Sequence, residues 1–79
     1  MDKPEVILDL KNIACPLNYV KAKLALEEME PGQVLQVTVD MGTPADYVPR
    51  TLQSDGHEIL DTRSSEGRCT ILVRKVALP

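Results

Sequence analysis

The chain has 79 residues, enough for one domain and too few for two. With no Phe or Trp, and only Tyr19 and Tyr47 aromatic, aliphatic side chains must build a thin two-layer core. Nine basic and twelve acidic residues, net charge -3, weigh against binding a phosphate backbone, which needs a clustered basic surface.

The N-terminal Met1-Asp2-Lys3-Pro4-Glu5 is polar, lacks the apolar segment of a signal peptide and leads into a first strand over 5–10. Val6, Leu8 and Leu10 fall on one face of that strand. Lys11 to Ala14 link it to a helix from 16 to 30. Pro16 suits the first helical position, which makes Cys15 the expected N-cap. Leu17, Val20 and Leu24 recur at helical spacing, and Ala22, Ala25 and Leu26 widen the same apolar side. Glu27, Glu28 and Glu30 sit unfavourably at the negative helix end, before the Pro31-Gly32 stop.

Residues 34–40 alternate cleanly as a strand, with Leu35, Val37 and Val39 on one face. A second helix is expected with Asp46 as cap and Pro49 in the first turn, since starting at Thr43 would put Pro49 in the interior at about 3 kcal/mol. Gly56 ends it. Strands over 58–62 and 69–76, joined through Ser64-Ser65-Glu66-Gly67, form an antiparallel hairpin. The order β-α-β-α-β-β predicts an α+β two-layer sandwich, a single domain over 1–79. Its mixed four-stranded sheet would carry both helices on one face. The two strand–helix halves (6–30 and 34–56) look alike in outline without a residue-level repeat.

Chemistry concentrates at Cys15. A thiol beside the first helical turn faces unpaired N–H groups and the positive dipole end. Such cysteines titrate at roughly 3.5–7.5 against about 8.5 for the free side chain, so the site reads as sulfur chemistry. The plain alternative is a small, semi-buried apolar residue at a strand–helix junction. Cys69, in register with Ile71 and Val73, reads as core, with a resolving thiol for Cys15 as the alternative. His57 is expected at a surface or edge. Lys21 and Lys23 either dock an acidic partner surface or are solvated helix lysines, and Lys11 adds charge nearby. Ile7, Leu60, Leu72 and Val76 leave a modest apolar patch on the second sheet face. Two cysteines and one histidine cannot fill a zinc site alone, and no metal or cofactor is expected. No run reaches membrane-spanning length, and a cytoplasmic setting with reduced thiols is expected.

Leu8-Asp9-Leu10, Ala14-Cys15-Pro16, Val20-Lys21 with Leu24, Glu30-Pro31-Gly32, Asp46-Tyr47-Val48-Pro49, Gly56-His57-Glu58 and Ile71-Leu72-Val73-Arg74-Lys75 occur in this order. Over nearly its whole length the chain resembles the TusA-like (SirA-type) family of small sulfur-carrier proteins. That resemblance implies relay of sulfane sulfur as a persulfide on Cys15. The sulfur would come from a cysteine desulfurase or rhodanese-like donor and pass to an acceptor thiol protein, the chain acting stoichiometrically as a sulfurtransferase-type carrier. The family motif is Cys-Pro-x-Pro, and here Asn18 replaces the second proline. Pro16, Leu17 and Asn18 then form the supporting helix opening, with the Leu17 and Asn18 amides both expected to face the sulfur and the Asn18 side chain close by. The rival reading is a non-catalytic regulatory or interaction module that keeps the fold and uses Cys15 only as a cap. Direct nucleic-acid binding is disfavoured by the acidic balance and the absent aromatic platform.

Overall fold

The computed structural model describes residues 3–14 and 16–77. β2 (Val34–Asp40) is the apolar alternating segment and lies inside the sheet. On one side it pairs in parallel with β1 (Val6–Asp9), and on the other antiparallel with β4 (Arg68–Arg74). β3 (Glu58–Ser65) pairs antiparallel with β4 at the far edge, so the order is β1-β2-β4-β3. Parallel neighbours need a crossover, which α1 (Leu17–Glu27) supplies between β1 and β2. α2 (Thr43–Ser54) connects β2 to β3.

Register decides what is buried. Leu35 faces Val73, Val37 faces Ile71, and Val39 faces Cys69. All six lie on the covered face, where Ala22 and Leu26 of α1 and Val48 and Leu52 of α2 join them in one core. Burying each Leu or Val contributes about 1.5–3 kcal/mol. The expected α+β arrangement, a mixed four-stranded sheet with its helices on one face, is what the chain adopts.

Four local expectations are corrected. The first concerns the facing of α1: Asn18, Ala22 and Leu26 are buried, while Leu17, Val20 and Leu24, expected toward the core, are 56%, 40% and 55% exposed. The small Ala22 and half-buried Ala25 let the helix lie close to the sheet, and Leu26 and Met29 fill the space beyond. Second, α2 starts at Thr43, with Gly42 before it at φ +96, a region that glycine enters without penalty. Pro49 therefore sits inside the helix. The helix carries its cost of about 3 kcal/mol while Ala45, Val48 and Leu52 pack onto the core, the last two fully buried.

Third, the hairpin is longer than its apolar pattern. β3 continues through the exposed Thr62, Arg63, Ser64 and Ser65, and β4 spans Arg68–Arg74 rather than 69–76. Only Glu66 (φ +52) and Gly67 (φ +77) form the turn, and two left-handed residues match the twist of a two-residue hairpin. Charged and hydroxyl side chains on β3 suit an edge strand, because they discourage pairing with another chain.

Fourth, the negative end of α1 has a counter-charge. The Lys75 ammonium donates to the carbonyls of Met29 (2.6 Å) and Glu27 (3.3 Å). The Lys75 main chain accepts from Gly32 N–H (2.8 Å) and donates to Gln33 (2.9 Å). A cation there offsets the repulsion expected from Glu27, Glu28 and Glu30.

Candidate functional site at the opening of α1

Two carboxylates at the C-terminal ends of neighbouring strands organise the loop from β1 to α1. Asp9 accepts the Lys11 N–H at 3.1 Å and pairs with its ammonium at 3.3 Å. The backbone N–H of Lys11 is the main cause that holds the Asp9 carboxyl below the usual carboxylate range. Asp40 accepts the Asn12 N–H at 2.9 Å. Asn12 is left-handed (φ +63), a conformation its short polar side chain tolerates. Leu10 donates to the Thr38 carbonyl (2.8 Å) and Ile13 to that of Leu10 (3.3 Å). The sequence reading missed Asn12 and Asp40, for which Asn in a turn was the available signal.

Cys15 lies outside the described residues. Pro16 is the exposed N-cap of α1 (φ -94, ψ 12) rather than its first helical residue, and its carbonyl accepts from Val20 N–H at 3.0 Å. Leu17 opens the helix with its side chain largely in solvent. Asn18 is fully buried. Its N–H donates to the Ala14 carbonyl at 3.2 Å, which corrects the expectation that this amide is available to a sulfur. The side chain accepts from Tyr19 N–H at 2.7 Å and donates to the Ile13 carbonyl at 3.4 Å. Asn18 thus ties both residues before Cys15 to the first turn of α1. Among the described residues the Leu17 N–H has no hydrogen-bond partner, so it is the first-turn amide still open to a ligand.

Asn18→Ala leaves the Tyr19 donor and the Ile13 acceptor unmatched in a buried place. The expected loss is about 1–3 kcal/mol in urea unfolding. Asn18→Asp keeps an acceptor for Tyr19 but adds a negative charge, and should slow alkylation of Cys15 at neutral pH by raising its pKa. An alkylation profile against pH identical in Asn18→Asp and the parent would disconnect Asn18 from the thiol.

The two helices are clasped beside this opening. The Tyr19 hydroxyl donates to the Asp55 carboxylate, and its ring meets Tyr47 edge-on at 6.0 Å and 85°. Hydrogen bonding to Asp55, then burial, pushes the Tyr19 pKa up to about 12. Tyr19 stays a neutral donor.

The two lysines named in the sequence reading are not brought together. Lys21 and Lys23 are both exposed, on different sides of α1. Lys23 borders a cleft with Glu27, Asp55, His57 and Lys75. His57, expected at a surface or edge, is instead buried at 8% exposure. It follows the α2 stop directly: its N–H donates to the Leu52 carbonyl (3.2 Å), and its Nδ1 accepts from Val76 N–H (3.3 Å).

Burial, assisted by the Lys75 charge and opposed by Asp55, holds the His57 pKa below 6.5. The folded state therefore binds this proton more weakly than the unfolded chain does. Stability should be fully present above pH about 6.5 and fall as pH drops below it toward the lower folded-state value. A His57→Gln variant should lose this dependence, and an unchanged slope between pH 7 and 5 in thermal melts of that variant would refute the assignment. Cys69 is buried and free, in its expected core place, and burial raises its thiol pKa.

The chain matches the family model described as Sulfurtransferase TusA over residues 6–75. It is 36% identical over 70 residues to an Archaeoglobus fulgidus protein named as a candidate sulfur carrier, covering 87% of this chain and 80% of that one. The Allochromatium vinosum sulfur carrier protein TusA is 33% identical over 69 residues, covering 86% and 90%. In fold it is similar to a SirA-like protein from Desulfitobacterium hafniense, at TM-score 0.77 and 22% identity over 91% of this chain and 99% of the other. The family model spans nearly the whole chain and the two sulfur-carrier relatives share 36% and 33% identity with it, and the chain belongs to the TusA family.

Proposed function

We propose that the protein is a sulfur carrier that relays sulfane sulfur as a persulfide on Cys15. The observation that supports it most is the family match spanning residues 6–75, with Cys15 immediately ahead of the α1 opening. The relatives' names as sulfur carriers point the same way.

In the first step the Cys15 thiolate attacks the outer sulfur of a donor persulfide, R–S–SH. A new S–S bond forms to Cys15, the donor S–S bond breaks, and the donor leaves as thiolate with the proton staying on the transferred sulfur. In the second step an acceptor thiolate attacks that outer sulfur and Cys15 leaves as thiolate. Neither step consumes an oxidant or a cofactor. A lowered pKa helps by supplying thiolate and by easing its departure, although nucleophilicity falls as pKa falls. The Leu17 N–H and the positive end of α1 are the local features that favour the anion. The donor in this reading is a cysteine desulfurase or rhodanese-like protein, the acceptor another thiol protein, and the setting the reducing cytoplasm.

The test is incubation with a cysteine desulfurase and cysteine, or with a rhodanese and thiosulfate, followed by peptide mass spectrometry. One added sulfur atom on the Cys15 peptide is expected. Sulfur on the Cys69 peptide alone, or on neither, refutes the proposal.

A further inference from the structure

The segment that follows β4 is held at two consecutive residues by different kinds of bond. Lys75 is fixed three ways, none of which titrates near neutral pH. Its N–H donates to the Gln33 carbonyl (2.9 Å), its carbonyl accepts from Gly32 (2.8 Å), and its ammonium donates to Met29 (2.6 Å). Val76 makes one hydrogen bond among the described residues, from its N–H to Nδ1 of His57 at 3.3 Å. His57 is itself seated, because it is buried and its N–H donates to the Leu52 carbonyl in the last turn of α2.

An Nδ1 that accepts a hydrogen bond carries no proton, which assigns the neutral ring as the tautomer protonated at Nε2. The ring then has a single lone pair with which to take up a second proton, and the Val76 N–H already occupies it. Once protonated, Nδ1 becomes a donor and points one N–H at another. The proton and Val76 therefore compete for the same atom, and either excludes the other.

We infer that His57 is a proton-operated latch on the segment after β4: protonation at Nδ1 frees Val76 and Ala77, with the hinge at Lys75. The surroundings of the ring favour release over retention. His57 lines a cleft of about 380 Å³ with Lys23 and Glu27 of α1, Asp55 after α2, and Lys75. The two lysines repel an imidazolium. Glu27 and Asp55 attract one, but Asp55 is already the acceptor for the Tyr19 hydroxyl. Glu58, next in the chain, is paired with Arg74. Burial, the largest influence, opposes a charge in this seat and places the switch below pH 6.5. Val76 and the buried Leu26 line the same cleft, so release widens it toward the core.

The test is amide exchange by NMR on the intact chain between about pH 7.5 and 4.5, each rate divided by that of an unstructured amide at the same pH. Protection of the Val76 amide should fall about tenfold for each pH unit below the titration of His57. The Lys75 amide, still on Gln33, should remain protected at the acid end. Ring nitrogen shifts should show Nδ1 as the atom that gains the proton. His57→Asn puts a carbonyl oxygen that does not titrate where Nδ1 was, and Val76 should stay protected in it throughout.

Val76 protection that holds while the ring gains its proton overturns the latch. So does a ring still neutral at the acid end, a complete loss shared by Lys75, or the same fall at Val76 in folded His57→Asn. Should that variant not fold, the contrast between Val76 and Lys75 in the parent decides without it.

Discussion

Leu26→Ala is expected to remove about 2–5 kcal/mol of folding stability, while Leu24→Ala should cost less than about 0.5 kcal/mol. The two changes are chemically identical and two residues apart. Leu26 is fully buried in the core shared by the sheet and both helices, so its loss opens a cavity that the surrounding core can only partly close. Leu24 is 55% exposed and gives up little contact. In a small domain the Leu26 loss is a large share of the total, since whole folds of this kind are stable by about 5–15 kcal/mol. Urea unfolding of both variants measures the contrast through their midpoints at constant slope. Similar costs at the two positions would mean that α1 faces the sheet the other way round.

The second large effect is functional. Cys15→Ser should abolish persulfide loading altogether, because a hydroxyl neither ionises near neutral pH nor forms the S–S bond the carrier needs. Cys69→Ala should leave loading intact and cost about 1 kcal/mol of stability. The reason is that Cys69 is enclosed opposite Val39 with its thiol pKa raised by burial, which makes it inert. Mass spectrometry of both variants after incubation with donor separates the roles. Loss of loading in a folded Cys69→Ala variant would favour the resolving-thiol reading over the packing one.

Much of this architecture could be read from the residues because the signals were periodic. β2 runs over the expected 34–40, since Leu35, Val37 and Val39 alternate without interruption. The facing of α1 was not legible, for a physical reason. Its two aliphatic sets obey the same helical spacing, and the buried one is marked by small Ala22 and Ala25 and interrupted by polar Asn18. Periodicity finds a face but cannot rank two of them, whereas close approach to a sheet favours the smaller. The start of α2 escaped because the proline cost was weighed alone, and that cost does not register the left-handed Gly42 from which the chain enters the helix at Thr43. The polar half of β3 gave no apolar signal at all, being an edge strand in solvent. At the candidate site the Cys-Pro pair and the helix opening were visible in the letters. The commitment of Asn18 to Ala14 and Ile13 was not, because it depends on how the loop folds back.

Lys75 joins the end of β4 to the end of α1, across 46 and 48 residues of sequence. The first helix therefore gains this lock only once Lys75 is in place. β2 likewise waits for β4 before it has neighbours on both sides. Contacts that span so much of the chain slow folding. Seating α1 and completing the sheet should therefore coincide in one cooperative event.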